Sequence, residues 1–299
     1  MLKANLDKRT GKWTLELQGK TIKSISKAYI AAQAANLGYA VTFGDEVTQQ
    51  KPRTTPSFGI NERFDFVTKL VSMVANNVQA SAIITGEGGL GKTFTVTKTL
   101  DKAGYSDISD IGALKEGMIV RRSKTYIMVK GFSTAKGLYR TLFENNGGVI
   151  IFDDCDSILR DPVALNLLKG ALDSYGKRII SWNADLRDDD LPKSFVFTGR
   201  VIFISNLNQN QIDQAIRSRS MMIDLSMTTD QKIERMETIA MEPDFMPEYE
   251  KVAVKDALAL IREIKDDARE ISLRTLISVT KIRSANTDWK DLAKYTLVA

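Results

Sequence analysis

The stretch SAIITGEGGLGKTFTVTKTL, residues 81–100, joins a short apolar run to a glycine-rich turn and then to a helical pattern. Its first five residues carry no polar alternation, which suits a strand covered on both faces. Gly86 to Thr93 then match G-x-x-x-x-G-K-[ST] in full. Glycines there let the backbone curl until successive N–H groups point inward, where they can receive phosphate oxygens. Lys92 would bring a point charge to the β- and γ-phosphates, and the Thr93 hydroxyl would ligate Mg²⁺. The helix opening at this point adds the positive end of its dipole.

Working outward, four more short apolar runs follow: YIMVK (126–130), VIIFD (149–153), VIFIS (201–205) and MMIDL (221–225). Helical patterns separate most of them, the signature of a five-stranded parallel sheet in an α/β domain. VIIFD ends in Asp153, and Asp154 follows directly. Beside a phosphate loop, Asp153 would engage the Mg²⁺ shell and Asp154 would polarise the attacking water. From Thr228 onward the patterns are helical only, which predicts a small helical C-terminal domain.

Composition narrows the chemistry. Among 299 residues there is no histidine and one cysteine, Cys155. Ser-His-Asp and Cys-His catalysis, histidine metal sites and an internal disulfide are thereby excluded. No run approaches the roughly 18 apolar residues that span a bilayer, and the start lacks an apolar signal core, so a cytoplasmic protein is expected. Residues 1–60 hold nine Lys/Arg against four Asp/Glu, which accounts for the whole net charge of +5. That excess reads first as a solvated basic face and second as a contact for nucleic acid or an acidic partner.

The N-terminal piece itself predicts short strands over 12–22 and a helix capped by Ser24 or Ser26 and ended by Gly38. Trp13 there reads as core. TQQKPRTTPSFG, residues 48–59, is the best linker in the chain. The expected organisation is therefore a small α+β N-terminal domain (1–55), an α/β nucleotide-binding domain (56–226) and a helical lid (227–299). Asn61 is the candidate cap of the helix after the linker.

With these motifs in order, the chain resembles the AAA+ ATPases from about residue 60 to the C-terminus, and most of all those encoded by tailed phages. VIIFDDCDSIL resembles the family's second nucleotide motif, with Asp156 as its later acid. VIFISNLNQ resembles the sensor-1 strand, which places Asn206 beside the γ-phosphate. IDQAIRSRS resembles the arginine-finger segment, matched best by Arg219, with Arg217 the alternative. ISLRTLISV resembles sensor 2, which brings Arg274 onto the nucleotide from the lid. The resemblance implies a catalytic set of Lys92, Asp153, Asp154, Asn206, Arg219 and Arg274. ATP would lie along Gly86, Glu87, Gly88, Gly89, Leu90, Gly91, Lys92, Thr93 and Phe94, with Mg²⁺ on Thr93 and Asp153. Because an arginine finger acts on a neighbour's nucleotide, the resemblance also implies a homo-oligomeric ring, a hexamer being favoured.

The family usually has Glu where Asp154 stands. Asp is shorter by one methylene, so its carboxylate sits roughly 1–1.5 Å further back, enough to matter for positioning. A working but slow ATPase is expected, with Asp154→Glu at least as fast. No clean aromatic-hydrophobic-Gly pore loop is visible in VKGFSTAKGLYRTLFEN, and Phe132 reads as core packing, which weakens peptide threading. RIISWNADLRDDDLPKSFVF, residues 178–197, reads as a solvated loop or, alternatively, as a hairpin with an acidic tip that would repel phosphate. Remodelling of a DNA or DNA-bound protein substrate is the first functional expectation. A nucleotide-gated regulatory module and a protein remodeller stay open beside it.

Overall fold

A computed structural model describes residues 2–7, 12–17, 19–44, 58–109, 124–174, 176–183 and 191–299. The chain forms two compact units, Met1–Ser57 and Phe58–Ala299.

In the first unit, strands β1 (Leu2–Asp7), β2 (Lys12–Leu17) and β3 (Lys20–Ser24) precede helix α1 (Lys27–Ala35) and strand β4 (Val41–Gly44). The sheet order is β3-β2-β1-β4, with β4 added parallel to β1 and the other pairs antiparallel. Alternation along β2 turns Trp13, Leu15 and Leu17 inward, where Ile30 and Ala34 of α1 complete a small core with Ala4. Ser26 caps α1 by accepting from the Tyr29 N–H at 3.3 Å. β1 and β4 have no counterpart in the expected elements. The acidic hairpin tip and all of the proposed linker except Phe58 and Gly59 lie outside the described residues.

The second unit begins with α2 (Ile60–Ala75), whose periodic Phe64, Val67, Val71 and Val74 are buried. Gly59 caps it, and Glu62 reaches back to accept from the Gly59 N–H at 3.0 Å. Asn61 is therefore not the cap. Its amide donates to Glu234 and accepts from Arg235 instead. Then come β5 (Ser81–Thr85), α3 (Lys92–Lys102), β6 (Ser106–Asp107), β7 (Thr125–Lys130), α4 (Ala135–Glu144), β8 (Val149–Asp153) and α5 (Pro162–Ala171). A ribbon of β9 (Ile179–Ser181) and β10 (Ser194–Val196), then β11 (Arg200–Ser205), α6 (Gln214–Arg217) and β12 (Met221–Asp224) complete the α/β part.

The sheet order is β12-β5-β11-β8-β7-β6, and every pairing is parallel. Among the described residues it has six strands where five were expected. The sixth, β6, is only two residues long, too short to leave an apolar run in the sequence. Apolar side chains cover both faces. Ile83, Phe152 and Phe203 pack with α4 and α5, while Ile84, Ile151 and Ile202 pack with α2 and α3. That two-sided burial is why these strands read as continuous hydrophobic runs. The arms of the 178–197 segment pair antiparallel as β9 and β10, so its base is a hairpin and not a loop.

Four helices follow: α7 (Thr229–Ala240), α8 (Lys251–Glu263), α9 (Leu273–Ala285) and α10 (Trp289–Val298). They enclose their own core, with Met236, Ile261, Leu276 and Trp289 among its buried members. Arg63 pins the crossing into them by donating to the carbonyls of Asp224 and Ser226 and to the Gln231 amide. No described helix is long and apolar enough to cross a membrane.

Because each unit has a core of its own, a fragment of residues 58–299 is expected to unfold cooperatively, with the near-ultraviolet circular dichroism of its aromatic residues retained. A fragment that melts without a transition would show that the first unit completes the second.

Candidate active site

Parallel pairing puts the carboxyl ends of β5, β11, β8 and β7 at one edge of the sheet. Ser205 stands opposite Thr85, Ile204 opposite Asp153, and Asp153 opposite Lys130. Gly86 leaves β5 with φ +133° and passes so close to β12 that an added Cβ would lie 2.9 Å from the Leu225 carbonyl carbon. Only glycine fits such a backbone at that approach. Gly91 then sits left-handed at the N-cap of α3, whose first turn presents Lys92 and Thr93.

The Lys92 ammonium donates to the carbonyls of Gly86 and Glu87, each at 2.7 Å, and to Asn206 Oδ1 at 3.1 Å. Three acceptors match its three protons. Burial pulls its pKa below the usual lysine value, against the opposing pull of Asp154, Asp153 and Glu87. Thr93 Oγ1 donates to both oxygens of Asp153, at 3.2 and 3.1 Å. Burial raises the Asp153 carboxyl above its ordinary range; the Thr93 hydroxyl opposes that shift, Asp154 adds to it, and Lys130 and Lys92 oppose it.

Consecutive residues of a strand point to opposite faces, so Asp154 would turn away from Asp153 if the strand ran on. It does not, because Asp154 adopts φ +54° while its N–H still donates to the Ile204 carbonyl at 3.0 Å. The left-handed turn brings both carboxylates to one cavity, and Asn206 Nδ2 donates to Asp154 Oδ1 at 2.9 Å. Asp and Asn tolerate this backbone better than longer side chains do. Here is a physical reason for Asp where Glu was the expected residue, and it counters the advantage expected of Asp154→Glu. Asp156 lies away from the cavity wall and accepts from Ser205 Oγ at 2.6 Å.

The cavity encloses about 370 Å³ and brings together Gly88, Gly89, Gly91, Lys92, Thr93, Phe94, Asp153, Asp154, Asn206 and Arg274 of the expected set. Arg274 enters from the start of α9, which docks on the loop through a bond from the Leu273 N–H to the Gly89 carbonyl at 2.8 Å. Three of the expected contacts, Gly86, Glu87 and Leu90, are not in its wall. Leu90 is buried, and the Glu87 side chain turns outward to an ion pair with Lys232 of α7. Arg219 is not in the cavity. Its carbonyl accepts from Ser81 Oγ at 3.2 Å, at the first residue of β5, whereas the loop leaves from the last. Five strand residues put roughly 13 Å between those ends. Its guanidinium donates to the Ala215 carbonyl and has no carboxylate partner among the described residues. Arg217 also lies outside the cavity.

Lys130, Leu273 and Ile277, none of them among the expected site residues, also line the wall. A second, more apolar compartment of about 360 Å³ shares Gly91, Phe94, Leu273 and Ile277 with the first and adds Ile239, Phe245 and Met246. Among the described residues no group of three or more His, Cys, Asp or Glu is arranged to hold a metal. Thr93 and Asp153 nonetheless suit Mg²⁺, which takes one or two protein oxygens and completes its shell from phosphate and water. The thiol of Cys155 is buried and pushed up to about 11, chiefly by burial, so it stays protonated.

No family model matches the chain. It is 29% identical over 256 residues to a protein of Enterobacteria phage T4, described as an uncharacterized 36.7 kDa protein in the nrdC-mobD intergenic region, covering 78% of this chain and 73% of that one. Among solved structures, the FIGL-1 AAA domain in complex with ADP aligns over 79% of this chain and 69% of its own, at 13% identity. The TM-score of that alignment is 0.33, too low to bear on fold or function.

The turn at Asp154 makes a prediction that separates backbone from charge. Asp154→Asn should keep the wild-type urea midpoint, while Asp154→Glu should lose about 1 kcal/mol of stability to the left-handed backbone. Equal midpoints for all three proteins would show that the turn does not select the shorter side chain.

Proposed function

We propose that this chain is an AAA+ ATPase that binds Mg-ATP and hydrolyses it between the subunits of a homo-oligomeric ring. One observation carries the reading: Thr93, on the first turn after the glycine loop, bonds both oxygens of Asp153 in the cavity that holds Lys92. A loop, a cation, a hydroxyl and an acid from two different strands converge as phosphoryl transfer requires. Lys92 would exchange loop carbonyls for phosphate oxygens, and the loop N–H groups would receive the rest of the triphosphate charge. Thr93 and Asp153 would hold Mg²⁺, which when bound neutralises charge on the β- and γ-phosphates. The apolar compartment beside Phe94, Leu273 and Ile277 would take the base.

In the reaction a water oxygen bonds to the γ-phosphorus. The bond from that phosphorus to the β,γ-bridging oxygen breaks, leaving its electron pair on ADP. Asp154 and Asn206, already hydrogen-bonded to each other, would orient that water, whose proton leaves through the Asp154 carboxylate to product phosphate or solvent. Arg219, rooted at the far end of β5 from its own loop, would serve a neighbour's nucleotide. That placement supports a ring, and a hexamer is the favoured size.

The basic first unit supports a nucleic-acid-associated substrate, in remodelling or loading of replication type. A second reading rests on Phe132. It is 81% exposed between β7 and α4, contrary to the expected core packing, and so could grip a polypeptide passing through the ring. Turnover stimulated by single-stranded DNA and not by an unfolded polypeptide would favour the first substrate class; the reverse would favour the second.

Arg219→Ala should bind ATP normally and hydrolyse it at least about 10³-fold more slowly. Lys92→Ala should fail to bind ATP yet still present Arg219 to its neighbour. An equimolar mixture of these two inactive proteins should regain activity where an intact Lys92 meets an intact Arg219. A dead mixture, with wild-type activity per subunit independent of concentration, would remove the trans role and the ring with it.

A further inference from the structure

We infer that Lys130 is a further catalytic residue of this site, a cation from the same subunit that contacts the γ-phosphoryl oxygens as charge develops on them. The inference rests on the nucleotide reading above and adds a residue that no motif in the sequence marks. Lys130 is the last residue of β7 and stands directly opposite Asp153 in the parallel ladder. Neighbours across such a ladder are about 4.8 Å apart and share a face, and Lys130 accordingly lines the same cavity as Lys92, Asp154 and Asn206.

Most exposed lysines are merely solvated, and three observations set this one apart. First, its charge is uncommitted. The Lys130 side chain makes no ion pair or hydrogen bond among the described residues, although two carboxylates stand beside it. Asp153 is instead held by Thr93, and Asp154 by Asn206. Second, it stands at the reacting end of the cavity, as the ladder partner of Asp153 on the wall that also holds Asp154. Third, the other two cations of the cavity come from elsewhere. Lys92 rises from the loop after β5, and Arg274 comes from the start of α9, so the flank beyond β8 has no other positive group among the lining residues.

That flank is where Asp153 and Asp154 add negative charge to a triphosphate that already carries its own. As the phosphorus–bridging-oxygen bond breaks and the water oxygen closes in, charge spreads over the equatorial oxygens of the transferring group. A preorganised cation aimed there acts on the transition state more than on the bound ground state. Lys130 moves no proton and forms no bond in this role. It supplies charge, on a flexible stem, from a strand end that the sheet holds fixed.

The test uses the full-length chain with Lys130→Gln and Lys130→Arg. Steady-state turnover is measured alongside equilibrium affinity for ATP and for ADP with aluminium fluoride, a mimic of the transferring phosphoryl group. Lys130→Gln should lower kcat on the order of 100-fold, with ATP affinity changed by less than about threefold. Its affinity for the ADP–aluminium fluoride complex should fall by the same factor as kcat, and Lys130→Arg should recover most of both. Unchanged or faster turnover in Lys130→Gln would overturn the inference, as would an equal loss of affinity for ATP and for the mimic. Wild-type protein that neither binds nor turns over ATP would instead sink the nucleotide reading itself, before any variant is compared.

Discussion

Parallel, in-register pairing of β5, β11, β8 and β7 is the constraint on which the site depends. It brings Thr85, Ser205, Asp153 and Lys130 to one edge, so the chain leaves each strand at the same level. In open parallel sheets this carboxyl edge is where ligands bind. The strands can be held so because both faces are buried, by α4 and α5 on one side and α2 and α3 on the other. A slip of one residue in β8 would turn Asp153 to the opposite face and part it from Thr93.

The charges at that edge are arranged in competition. Lys92 is drawn from the charged form by burial, while three acceptors and the acids Asp154, Asp153 and Glu87 favour the charge. Asp153 is pushed toward its neutral form by burial and by Asp154, against the opposing pull of Thr93, Lys130 and Lys92. Asn206 links the two systems, accepting from Lys92 with its oxygen and donating to Asp154 with its nitrogen. A group that displaces either partner is therefore felt by the other.

The helical part is tied to the glycine loop at three points. The Leu273 N–H bonds the Gly89 carbonyl, Lys232 pairs with Glu87, and Ser272 packs so closely that a Cβ on Gly89 would lie 3.0 Å from its own. Gly89 also has φ +74°, so both its conformation and its surroundings demand glycine. Arg274 follows directly on these contacts. Its place in the cavity is thus set by how the start of α9 seats on the loop.

Much of this was legible in the sequence because it is local. The loop from Gly86 to Thr93 needs its glycines and its Lys-Thr pair within eight residues, and a strand buried on both faces must be an unbroken apolar run. β6 was hidden, being two residues long, and so was the Gly59 cap, since Asn61 is the better capping residue by type but is drawn off by Glu234 and Arg235. Phe132 read as core by its chemistry and is exposed because the chain turns at Gly131, φ +81°, after the strand ends. What only the tertiary structure decided are relations between residues far apart in the chain. The left-handed turn that aims Asp154 is held by Ile204 and Asn206, some fifty residues later. Lys130 joins the site through its ladder partner Asp153, and Arg219 is kept from it by the length of β5. Residue types and short-range spacing fix the chemistry a chain can offer; which of its groups share one cavity depends on strand order and register, which no local pattern encodes.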